Sequence, residues 1–110
     1  MESVLTTIKK MLGITADCKS FDTDIIVHIN SVLLILKQIG VGPAKPVYIK
    51  SDLETWDTVL GDHEDLEAVK TYIYLKVRML FDPPSGGALD AMKRQADELE
   101  WRLNVETESK

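Results

Sequence analysis

DTDIIVHINSVLLILKQIG, residues 22–40, decides how the rest of the chain must be arranged. Ile25, Ile29, Val32, Leu36 and Ile39 recur every three or four residues, which puts them on one side of a helix. Ile26, Leu33 and Leu34 widen that stripe. Asp24, His28, Ser31 and Gln38 form a narrow polar line, interrupted by Ile35. A helix this apolar calls for cover on several sides. Gly40 suits the left-handed turn just past a helix end. Ser20 or Asp22 is placed to cap the start, with Asp22 and Asp24 near the positive end of the helix dipole.

The flanking sequence supplies that cover. Val4, Leu5, Ile8, Met11 and Leu12 predict a first helix over Ser3–Leu12, stopped by Gly13. After Gly40 the helical pattern fails. Gly42, Pro43 and Pro46 punctuate it, and Val47-Tyr48-Ile49 is a short β-prone run, expected as an extended segment lying on the core or pairing with another subunit. Ser51-Asp52-Leu53-Glu54 has the form of a capping box and predicts a short helix carrying Leu53, Trp56, Val59 and Leu60 up to Gly61.

Asp62 is expected to begin the next helix, with Glu64 and Asp65 in its first turn and Leu66, Val69, Ile73, Val77 and Leu80 as its apolar face. Pro83 and Pro84 stop it. Ser85 is placed to cap a last helix whose seam is Leu89, Met92, Ala96, Leu99 and Leu103, with a frayed tail after Val105. The expectation is one all-α domain over residues 1–110: a small bundle of four main helices plus one short helix, with a short extended loop segment.

A chain of 110 residues is long enough for one hydrophobic core, and 45% hydrophobic with 28% charged content is ordinary for a globular protein. The net charge of -5 argues against a DNA- or RNA-binding surface and against docking on anionic membranes, since both rest on Lys and Arg. The single cysteine, Cys18, forms no internal disulfide. The N-terminus lacks a secretory pattern, and no apolar run approaches the roughly 20 residues of a membrane span.

Catalytic chemistry finds no footing. Cys18 has no histidine near it in sequence, and neither His28 nor His63 has a partner at zinc-site spacing. Asp62, Glu64 and Asp65 around His63 resemble an acid/base cluster, but three acids in a first turn are what a helix dipole favours, at about 0.3–1 kcal/mol each. Gly86-Gly87 lacks the phosphate-loop pattern. No nucleophile, base and oxyanion donor assemble, so neither an enzyme nor a cofactor is expected.

Trp101 carries more information. It lies off the seam of the last helix, among Arg94, Asp97 and Glu98 at helical neighbours, where a large aromatic is either packed within the chain or kept for a partner. Tyr48, Arg94, Glu98, Trp101 and Arg102 are the candidate interface residues. Trp56, beside Leu53 and Leu60, reads as core.

Five fragments in order carry a family likeness: DIIVHINS (24–31), GVGP (40–43), ETW (54–56), VKTY (69–72) leading to FDPP (81–84), and ELEWRLN (98–104). Together they resemble the head–tail connector proteins of tailed bacteriophages, more narrowly their small helical adaptors. The likeness covers about Asp22 to Asn104. It implies a structural virion protein that docks as a ring, a dodecamer on the portal, extends the DNA channel and presents a surface to the next connector or tail protein. It implies no catalysis, no cofactor and no membrane. DNA would pass through the lumen without specific binding. The location implied is the head–tail interface of the virion, after assembly in the host cytoplasm.

The residue pattern fits such a role. Each subunit of a ring presents two different patches, and the outer side of the last helix and the Val41–Lys50 segment are the expected pair. An acidic wall would repel phosphates from a conduit. The alternative from a different class is a helical regulatory or adaptor module that binds a host protein in the cytoplasm. Capture by portal rather than by host proteins separates the two.

Overall fold

The computed structural model describes residues 2–41, 48–61 and 66–108. Five helices follow one another: α1 Val4–Met11, α2 Asp22–Gln38, α3 Trp56–Leu60, α4 Leu66–Phe81 and α5 Gly87–Glu108. Among the described residues the only β pairing is an isolated antiparallel bridge between Ser3 and Thr55. The fold is the expected all-α bundle. The predicted helix start over Asp62–Asp65, and Val47 with its preceding loop, lie outside the described residues.

The apolar repeat of α2 is the physical centre. Ile25, Ile29, Val32 and Leu36 are fully buried, and Leu33 nearly so. They pack against α4, whose Val69, Tyr72, Ile73 and Val77 are buried in turn. α4 also packs on α5 through Ala96 and Leu103, so α4 lies between α2 and α5, while α1 closes one side with Val4, Leu5 and Ile8. The bundle is flat, with principal extents of 40 × 35 × 19 Å. That flatness corrects one expectation. α2 is not covered all round: Val27 (56% exposed) and Leu34 (44%) stay on the surface.

Several helix ends differ from the sequence pattern. Neither Ser20 nor Asp22 caps α2; Phe21 occupies that position, with no side-chain cap. Asp22 is engaged elsewhere. Its carboxylate lies 2.8 Å from the buried Lys9 ammonium, which also donates to the Cys18 carbonyl at 2.6 Å and the Ala16 carbonyl at 3.3 Å. Asp22 Oδ1 is buried and makes no directed hydrogen bond, so the ion pair is what offsets its desolvation. One ammonium thus ties the 12–21 loop to both α1 and α2.

The Ser51–Glu54 box forms, but ahead of a turn rather than a helix. Glu54 Oε1 accepts from the Ser51 amide and hydroxyl, and Thr55 is the N-cap of α3 through a bond from the Thr58 amide. Burial pushes the Glu54 carboxyl upward, but hydrogen bonds from the backbone of Glu54, Ser51 and Lys50 and from the Ser51 hydroxyl outweigh it and hold the group below its ordinary range. Ser85 does not start α5; the first helical carbonyl is that of Gly86, whose φ of 64° a glycine adopts without strain. Helix α5 runs on to Glu108, three residues past Val105.

Of the extended segment, residues 48–50 are described, and they are anchored to the core through Ile49. Ile49 is buried, and its main chain is held by a side chain, not by a strand. Asn30 Nδ2 donates to the Ile49 carbonyl at 2.9 Å, while the Ile49 amide donates to Asn30 Oδ1 at 2.8 Å. A carboxamide on α2 does the work of a β neighbour. Trp56 is core as expected, and its indole N–H donates to Thr7 Oγ1 at 3.0 Å.

Candidate protein interface

Helix α5 displays a stripe that the fold leaves bare. Arg94, Glu98, Trp101 and Val105 follow one another at spacings of four, three and four, so they share a face. The seam opposite, through Ala96 and Leu103, is buried, which turns this stripe outward. Trp101 is 65% exposed. Glu98 pairs with Arg102 at 2.8 Å, one helical turn apart, so these two charges largely cancel. Arg94 is exposed and has no ion pair among the described residues. The stripe therefore carries one open cation, a large aromatic and an apolar edge.

Tyr48 is found on a second surface. It is 40% exposed and lies beside Val27, Asn30, Ser31 and Leu34 around a shallow depression. The bonds between Asn30 and Ile49 fix its position, since Ile49 is the next residue. Sequence reasoning had Tyr48 but missed Val27 and Leu34. Both sit within an apolar helix, and only the flatness of the bundle separates them from the core stripe.

Two further concave features are formed by the described residues. A groove of about 410 Å³ runs between α2, α4 and α5, with Val32, Ile35, Met79 and Leu80 as its apolar walls and Lys76, Lys93 and Asp97 also lining it. A cleft of about 550 Å³ lies between the start of α2 and the end of α4, lined in part by Phe21, Asp24, His28, Leu80, Phe81 and Asp82. The rings of Phe21 and Phe81 meet edge to face at 5.4 Å. Neither Asp24 nor Asp82 forms an ion pair among the described residues. The sequence reading placed Asp24 and His28 on a polar line and Leu80 on the apolar face of its helix, where it is in fact 55% exposed, but did not foresee that these residues meet Phe21, Phe81 and Asp82 in a cleft. A phenylalanine just before α2 and a Phe-Asp pair just before two prolines were the available signals.

One buried polar contact fixes α5 on α4. The Tyr72 hydroxyl donates to Glu100. Burial, this bond to a carboxylate, and the charges of Glu100 and Asp97 all push the phenol upward, so it stays protonated well into alkaline solution. Among the described residues no three His, Cys, Asp or Glu side chains gather as a metal site requires. No helix of the described residues is long and apolar enough to cross a membrane.

Against known proteins, one family model matches, described as phage connector protein, over residues 4–110. No curated protein and no solved structure shows significant similarity.

Proposed function

The chain belongs to the phage connector protein family, a structural and non-enzymatic family of the virion, and on that premise we propose that it docks as a closed ring on the portal. In this reading the ring extends the channel of the DNA-filled capsid and presents its far side to the next connector or tail protein. The observation that carries it is the family match over nearly the whole chain, joined to a monomer that leaves two separate apolar surfaces uncovered.

The geometry supports the division of labour. A head-to-tail ring needs patches that differ, one for each neighbour, and a further surface for the proteins above and below. The α5 stripe with Arg94, Glu98, Trp101 and Arg102 is the edge assigned to a neighbouring copy. The patch of Tyr48 with Val27 and Leu34 is assigned to the portal or tail protein. The net charge of -5 suits a lumen through which DNA slides without sticking.

Electron microscopy of the purified chain mixed with portal protein tests the proposal. Rings seated on the portal are the expected result. Portal particles that stay bare, or that carry isolated copies, would overturn it.

A further inference from the structure

The α5 stripe supplies a knob, and the cleft between the start of α2 and the end of α4 has the charge of its socket. Phe21, Asp24, Leu80, Phe81 and Asp82 give that cleft two carboxylates, two aromatic rings and an exposed leucine, and no lysine or arginine lines it. Phe21 is itself exposed beside it. A cavity with open carboxylates over phenylalanine rings favours a planar cation, which pairs with carboxylates in bidentate fashion and stacks on aromatic faces. Arginine meets both demands; a lysine ammonium has neither the fork nor the flat face.

Arg94 is the residue that fits. It is exposed and unpaired among the described residues, and it shares its helix face with Trp101, two turns away. Glu98 is already neutralised by Arg102, and although Asp90 and Asp97 flank the stripe, no ion pair among the described residues holds Arg94, so its guanidinium is open beside the exposed Trp101. The cleft presents two negative charges beside apolar surface. The two are complementary in sign and in chemistry, and they belong to different elements, as a head-to-tail contact between identical chains requires.

We infer that the Phe21–Asp24–Phe81–Asp82 cleft receives the Arg94–Trp101 stripe of a second copy of this chain. Arg94 enters between Asp24 and Asp82, and Trp101 lies on Phe21 and Leu80. The inference rests on the ring reading above and names the two halves of its repeating contact.

Charge reversal tests it. Self-association is measured by sedimentation velocity, alone and with portal protein, for wild type, for Arg94→Glu, and for Asp24→Lys combined with Asp82→Lys. Each variant is expected to associate at least about tenfold more weakly, because like charges then face each other. An equimolar mixture of the two is expected to recover assembly, since every junction in an alternating ring again joins opposite charges. Asp82→Lys alone, which leaves the first turn of α2 untouched, is expected to show a smaller loss in the same direction, with helicity by circular dichroism unchanged. Variants that assemble like wild type, or a mixture that fails to recover, would overturn the socket. Wild type that forms no oligomer in either setting would remove the ring reading itself, and this contact with it.

Discussion

Replacing Asn30 by alanine should cost about 1.5–3 kcal/mol, and the two ways the protein can respond set that figure. The carboxamide makes paired bonds of 2.9 and 2.8 Å to the Ile49 main chain. If the segment stays down, a main-chain carbonyl and amide next to a buried side chain lose their partners, at about 1–3 kcal/mol each. If it lifts off, water satisfies both groups, but burial of Ile49 is lost, at about 1.5–3 kcal/mol. The cheaper route prevails, so lifting sets the cost. Urea unfolding measures it, and amide exchange reports the route: the Ile49 N–H should lose its protection in Asn30→Ala. A double-mutant cycle adds a sharper check. Ile49→Ala should cost far less in the Asn30→Ala background than in wild type, because the side chain has already left its site. Additivity within about 0.5 kcal/mol, or an Asn30→Ala midpoint equal to wild type, would refute the reasoning.

Leu33→Ala should cost about 2–5 kcal/mol by urea unfolding, because the side chain is buried where α2 meets the core. Lys9→Met should cost about 3 kcal/mol in the same assay, the low end for a broken buried ion pair, since Asp22 keeps 20% side-chain exposure and can be partly rehydrated. Trp101→Ala should weaken assembly on the portal while leaving the unfolding midpoint of the free chain within about 0.5 kcal/mol, as an exposed residue does. The Tyr72 phenol is raised above its ordinary value of 10.0, so its contribution is intact below that pH and is lost as pH rises, when the unfolded chain ionises first. Thermal melts should therefore fall at alkaline pH, and Tyr72→Phe should flatten that part of the profile.

The helices were legible because burial leaves a repeat. Ile25, Ile29, Val32 and Leu36 stand three or four apart, and the structure buries all of them. The helix ends were less legible, because their signals compete. Ser51-x-x-Glu54 and Thr55-x-x-Thr58 both offer a cap within a few residues, and contacts distant in sequence, Trp56 with Thr7 and the Glu54–Thr55 main chain with Ser3 and Val4, go with the second. Asp22 reads as a cap until Lys9, thirteen positions earlier, is seen to claim it. Asn30 was invisible for a related reason: one polar residue in a greasy helix has no periodicity to reveal it. Trp101 was legible as lying off the apolar seam, but that left it either packed within the chain or turned outward, and only the fold shows it exposed. The cleft was not, because Phe21 and Asp24 meet Phe81 and Asp82 only through the antiparallel return of the chain. The family likeness rested on the order of fragments along the chain, a property that no single residue carries.

A plate 19 Å thick is hardly two helix diameters deep. No atom in it is far from water, and there is little interior from which to draw cohesion. Whatever lies against its broad sides would act as the missing outer layer of the protein. The folding of one copy and the gathering of many would then draw on the same store of oily area, so the assembled particle would resist heat and shear in a way that no isolated subunit can.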